Sequence, residues 1–152
     1  MSDNNMQFEL RWNDNAADRM THEVEARVTN AGFHLQRKIV ERLSSGAQSG
    51  KTYHVPGTQT TYTASAGGEV PAKVTGWLAQ NVIAKPVLEW TGPVSYVGIR
   101  GGPDGVPYAK RLEYGFVGRD SLGRMYNQEA RPFFRSTYEV EREDIKRMLG
   151  GR

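Results

Sequence analysis

The sequence predicts an α+β fold in which helices pack on one small antiparallel sheet. Three observations carry this: a period-two run at residues 7–12, an apolar stripe of helical period through residues 17–43, and two β-leaning runs at 82–90 and 94–99 divided by a turn.

In the first run Phe8, Leu10 and Trp12 alternate with Gln7, Glu9 and Arg11, as in a half-buried strand. The cluster Asn13-Asp14-Asn15 then offers a helix N-cap. Ala17, Met20, Val24, Val28, Ala31, Leu35, Ile39 and Leu43 follow at intervals of three or four, which predicts one long helix ending near Ser44. Asp14 and Asp18 near its start and Arg37, Lys38 and Arg42 near its end complement the helix dipole. Gly32 interrupts the flank of the stripe, either at a modest cost or to let another element approach closely.

Residues 44–71 are rich in Ser, Gly and Thr, with few apolar side chains. So long a loop in a small domain is functional or disordered. The β-propensity of Tyr53, Tyr62 and the 58–61 run makes it an expected extended arm, ordered against a neighbour. A short helical turn is expected at 75–80, then a hairpin turning at Thr91-Gly92-Pro93, with Pro86 marking an edge strand or bulge. Residues 107–114 read as a helix opened by Pro107 and closed by Gly115, followed by two short extended pieces around a turn at 120–123. The last helix is expected to start at Pro132, to carry Phe134, Tyr138, Ile145, Met148 and Leu149 inward, and to stop at Gly150-Gly151. Phe133, about 100° round that helix from Phe134, is left to face a neighbour.

At 152 residues the chain is most simply one domain, 1–152. Hydrophobic residues make up 38% and the mean hydropathy is -0.63, so the core is lean. A net charge of +3, with both signs interspersed, falls short of the clustered Lys/Arg footprint of a dedicated nucleic-acid binder. The absence of cysteine excludes disulfides, thiolate metal sites and cysteine nucleophiles. The acidic, polar opening is unlike a cationic export signal, and no apolar run approaches the roughly 18 residues that would span a bilayer. A protein made in the cytoplasm without membrane contact is expected.

Catalytic patterns fail one by one. Residues 45–52 nearly match a phosphate-binding loop, but Ser45 stands where glycine is needed, and a helix rather than a strand precedes it. His22-Glu23 is followed by Ala26 where the zinc-protease motif needs histidine, and His34 and His54 are scattered. Glu139, Glu141 and Glu143 read as a solvated helix face. Neither a metal nor another cofactor is expected, and no catalytic residue is assigned. Arg119, Arg124, Arg131 and Arg135 interleave with Tyr126, Phe133 and Phe134, a pattern that can stack on single-stranded bases. The simpler reading, aromatics in the core and arginines on the surface, is preferred, and a monomeric nucleic-acid-binding module remains the alternative.

Three blocks stand out: Pro71-Ala-Lys-Val-Thr-Gly-Trp-Leu78, Tyr108-Ala-Lys-Arg-Leu-Glu-Tyr-Gly115 and Ala130-Arg-Pro-Phe-Phe-Arg135. Each mixes aromatics with Gly or Pro and fixed charges, as an assembly surface does. Candidate interface residues are Lys51, Tyr53, Tyr62, Glu69, Trp77, Tyr108, Glu113, Tyr114, Arg131 and Phe133, with Glu113 expected to pair with Arg131 within one subunit or across the interface.

In order and spacing, from about residue 16 onward, these blocks resemble the phage tail-component family typified by gene product ten of the Hong Kong ninety-seven coliphage. The matching stretches are Gly68-Glu69-Val70-Pro71, Thr75-Gly76-Trp77-Leu78, Val97-Gly98, residues 108–115 and residues 131–135; Phe116 and Ser136 depart from the family pattern. The resemblance implies a neck, tail-completion or tail-terminator subunit of a virion. Such a subunit forms a homo-oligomeric ring, six copies favoured and twelve the alternative, between head-completion or adaptor proteins and tail-tube proteins. The ring would surround the DNA channel, with weak non-specific contacts expected from Arg119, Arg124, Arg142 and Lys146.

Overall fold

The computed structural model describes residues 14–46, 48–55, 57–73, 75–101, 105–119 and 122–151. The expected first strand at 7–12 lies outside them, as does Asn13. The fold is α+β. In chain order the elements are α1 (Asp14–Ser44), β1 (Thr52–His54), β2 (Thr61–Thr63), α2 (Trp77–Gln80), β3 (Val82–Glu89), β4 (Gly92–Ile99), α3 (Gly105–Tyr114), β5 (Phe116–Arg119), β6 (Met125–Gln128) and α4 (Phe134–Met148).

Among the described residues the strands form three separate two-stranded antiparallel ribbons, β1-β2, β3-β4 and β5-β6, where a single sheet was expected. Each strand pairs with its chain neighbour across a short connection, so every pairing is local. In β3-β4 the register pairs Glu89 with Gly92 and Val82 with Ile99, which puts the turn at Trp90-Thr91, one position earlier than expected. Pro86 sits opposite Ser95 on a strand with one free edge among the described residues, where a missing amide is tolerated.

α1 is the spine, about 46 Å long at 1.5 Å per residue. Its buried residues are Ala31, Gly32, Ile39 and Leu43, all in the second half. The apolar stripe is continuous in sequence, yet Met20 and Val24 stand 68% and 47% exposed. Gly32 takes the second of the two roles read for it. A Cβ there would lie 2.7 Å from Ser95 Cβ and collide with Ser95 Oγ, so only glycine lets β4 lie this close to α1. Gln36 Nε2 donates to the Val82 carbonyl at 2.8 Å and fixes the ribbon's position along the helix.

The core joins Ile39 and Leu43 of α1 to Val82 of β3, Ala109 and Leu112 of α3, and Phe133. Leu35, Val40, Val70, Leu78, Ala79, Val97, Ile99 and Phe134 pack around it. Here the expected division between the two phenylalanines is reversed. Phe133 is 1% exposed and offers no surface to a neighbour, whereas Phe134 is only partly buried. The reason is backbone geometry: α4 begins at Phe134, and Phe133 is its non-helical N-cap residue at φ −123, ψ −30, so helical spacing does not govern where its ring points. Tyr138 and Leu149, expected inward, are 43% and 46% exposed.

A candidate assembly surface

The three blocks that stand out in the sequence meet at one junction. α3 ends at Tyr114, and Gly115 turns the chain with φ +77; a Cβ there would lie 2.8 Å from the Gln128 carbonyl. That glycine lets β5 start at once, with Phe116 folding under the Arg111 guanidinium at 4.5 Å. From the last turn of α3, buried Glu113 reaches the open end of α4. Its Oε2 accepts from the Phe133 and Phe134 amides and its Oε1 from the Arg135 amide, each at 2.9 Å. Free amides at a helix N-terminus call for an acceptor, and a carboxylate also answers the positive end of the dipole.

The expected Glu113–Arg131 pair does not form in the subunit, because both groups are committed elsewhere. The Arg131 amide donates to the Leu112 carbonyl at 2.6 Å, and its Nε donates to the Ser65 carbonyl at 3.1 Å. Ser65, buried and missed by the sequence reading, accepts from the Ala72 amide through its Oγ at 3.3 Å. The Gly68 amide donates to the Ala130 carbonyl at 2.8 Å. Residues 65–72 therefore form a strap bound across the 130–131 segment. No spacing rule marks Ser65; it lies in a polar loop among many similar residues.

The 44–71 segment thus has structure of its own. β1 and β2 pair Thr52 with Thr63 and Tyr53 with Tyr62, whose rings stack with centroids 5.8 Å apart. The hairpin base closes through the Gly50 amide on the Ala64 carbonyl at 2.8 Å and the Ala64 amide on the Lys51 carbonyl at 3.0 Å. Lys51 is exposed at this base. Glu69 accepts from the Ser49 hydroxyl and, at 2.8 Å, from the Ala66 amide. Those two bonds, with a smaller pull from Arg131, hold the Glu69 carboxyl below its ordinary range.

Tyr108 connects the hairpin to α3. Although Tyr108 is 52% exposed overall, partial burial first, and then the nearby Tyr62 phenol, push its hydroxyl above the ordinary phenol range, with Arg131 opposing. A shallow recess beside it is lined by Pro71, Gly76, Trp77, Leu78 and Leu43. Arg131 and Glu69 thus bond to the strap or within it, Tyr53 stacks on Tyr62 in the adjoining hairpin, and Trp77 and Tyr108 line the recess at Pro71.

On the other side of α3 an open groove of about 610 Å³ runs between β4, α3 and α4. Val97, Gly98, Ile99, Phe133 and Phe134 supply apolar lining, and Lys110, Tyr114, Arg135 and Tyr138 also line it. Tyr114 is 76% exposed. Lys110, Arg135 and Tyr138 were not singled out as interface residues, nor was Trp90, almost wholly exposed at the turn of β3-β4.

The four residues expected to line a DNA channel are not brought together. Arg119 and Arg124 belong to the β5-β6 hairpin, where Arg119 Nη1 donates to the Gly123 carbonyl at 3.2 Å. Arg142 and Lys146 are on α4 beside Glu143, and the Lys146 ammonium at 2.8 Å leads the effects that hold the Glu143 carboxyl below its usual range.

Among the described residues one group has metal-ligand chemistry: His34 of α1 with Glu141 and Asp144 of α4, whose ligand atoms lie within 4.8 Å of one another. His34 Nε2 and Glu141 Oε2 are 2.8 Å apart, with both side chains largely covered. Arg37 Nη2 lies 3.3 Å from His34 Nδ1 and Arg147 pairs with Asp144, so cationic side chains already answer this cluster. Its clear role is a polar clasp between the two helices.

No helix is long and apolar enough to cross a membrane among the described residues. Compared with family models, with curated proteins and with solved structures, the chain finds no match in any of the three.

Proposed function

We propose that this protein is a structural subunit of a tailed-phage particle, forming an oligomeric ring at the junction of head and tail. The observation that carries the reading is the convergence of the three blocks. Residues 71–78, 108–115 and 130–135 resemble the family in sequence, and they are joined through Glu113, Arg131 and the strap into one unit. Around that unit lie exposed aromatics and an apolar groove, which suit contact with another protein. A ring uses two different faces of each subunit, and this molecule presents two different patches on either side of α3.

The genome passing through such a ring is touched only through phosphates, so binding to duplex DNA is weak, independent of sequence and lost near physiological salt. Native mass spectrometry and negative-stain microscopy of the purified chain test the reading. A closed ring with a channel wide enough for a duplex is the expected result. A monomer at every concentration that binds one DNA sequence tightly at physiological salt would overturn it in favour of a nucleic-acid-binding module.

A further inference from the structure

We propose that the first turns of α1 dock into the α3–α4 groove of a second copy of this chain. The inference rests on the ring reading and names the contact that would build it.

Among the described residues nothing covers the apolar side of the helix end at Met20 and Val24. Residues 14–26 precede the first buried position of α1, and the apolar stripe through Ala17, Met20, Val24 and Val28 continues along them at intervals of three and four. Met20 and Val24 are among the exposed large apolar side chains of the molecule. A helix that presents its apolar stripe to water is one that another surface covers.

The groove has the complementary form. Its apolar floor includes Val97 and the partly buried Phe134, and a Cβ placed on Gly98 would meet nothing within 4 Å, so there is room above β4. Charge sets the occupant. Residues 14–27 carry four carboxylates, Asp14, Asp18, Glu23 and Glu25, against Arg19 and Arg27, of which Arg27 pairs with Glu23. The groove is lined by Lys110 and by Arg135, whose Nε also meets Glu139 of the same helix at 3.0 Å, while the carboxylate of its acid, Glu113, is held by the α4 amides. An acidic amphipathic helix entering an apolar slot with a cationic edge matches in both respects.

The occupant cannot come from the same copy. Leu35 of α1 lines the groove, and Met20 lies fifteen residues earlier on the same continuous helix, about 22 Å away along the axis. Docking the helix end therefore joins different faces of successive copies, the arrangement that closes a ring.

Because the chain has no cysteine, the contact is open to site-directed cross-linking. Met20→Cys and Tyr138→Cys variants, mixed and oxidised, are expected to cross-link to each other several-fold more than either does with itself. Charge reversal at Glu23 and Glu25 to Lys, or at Lys110 and Arg135 to Glu, is expected to weaken assembly about tenfold or more. Both reversals in one chain restore it, with circular dichroism confirming that each variant is folded. If the wild type assembles while cross-linking and charge reversal have no effect, the docking is wrong and the ring stands. If the wild type is monomeric at every concentration, both fall.

Discussion

Glu113 holds Phe133 by its backbone while the core holds it by its ring. The Phe133 amide donates to Glu113 Oε2 at 2.9 Å, and the ring on the same residue is 1% exposed. One carboxylate at the end of α3 thereby fixes where α4 begins and which of two adjacent phenylalanines is buried.

Truncation of the two rings should separate sharply. Phe133→Ala is expected to cost about 3–5 kcal/mol, as for a fully buried aromatic, and Phe134→Ala clearly less. Glu113→Gln leaves one acceptor for three amides and is expected to cost about 1–3 kcal/mol. Urea denaturation of the three variants measures this; equal losses at Phe133 and Phe134 would contradict the assignment.

The strap depends on Arg131. Arg131→Ala removes the donor to Ser65, and faster hydrogen exchange is expected at the Gly50, Ala64 and Gly68 amides, with the α1 amides unchanged. Exchange at those three positions that is already fast in the wild type would show the strap to be open in solution.

Gly32 and Ser95 test the approach of α1 to β4. Gly32→Ala is expected to destabilise by about 1–3 kcal/mol through overpacking, despite the better helix propensity of alanine. Adding Ser95→Gly removes both colliding atoms and should recover part of the loss. Ser95 Oγ is buried without a hydrogen-bond partner among the described residues, so Ser95→Ala alone is expected to be neutral or stabilising in a thermal melt.

Glu69 gives a pH dependence with a definite sign. Its carboxyl is held below the ordinary value of 4.5 by the Ser49 hydroxyl first and the Ala66 amide second. A group depressed in the folded state contributes stability that is fully present above its unfolded pKa and is lost as pH falls through the folded one. The melting-temperature difference between wild type and Glu69→Gln is therefore expected to be constant near neutrality and to shrink below about pH 4.5. A difference that grows on acidification would reverse the assignment.

What the sequence made legible was local. The end of α1 at Ser44, the β3-β4 hairpin, the stop at Gly115 and the start of the last helix near Pro132 follow from periodicity, turn residues and caps that act within a few positions. The partners of Glu113 and Arg131 were not legible, because a carboxylate beside an aromatic reads the same whether it meets a guanidinium or three amides. Which half of the α1 stripe is buried was also hidden, since the stripe runs unchanged from Ala17 to Leu43 and only the extent of β3-β4 and α4 decides it. Of the candidate interface residues, those in the three blocks were read from composition, whereas Lys110 and Arg135, which line the groove, stand in the same blocks without a distinguishing pattern.

The strap makes the hairpin and the groove parts of one lever. Hydrogen bonds run without a break from the base of the β1-β2 hairpin through Ser65 and Gly68 to Arg131 and Ala130, two residues before the amide that Glu113 grips. In the proposed ring, a neighbour seated on the hairpin would pull on the mouth of the groove on the far side of α3. Occupancy of one patch would then become information at the other, and each subunit added would prepare the site for the next.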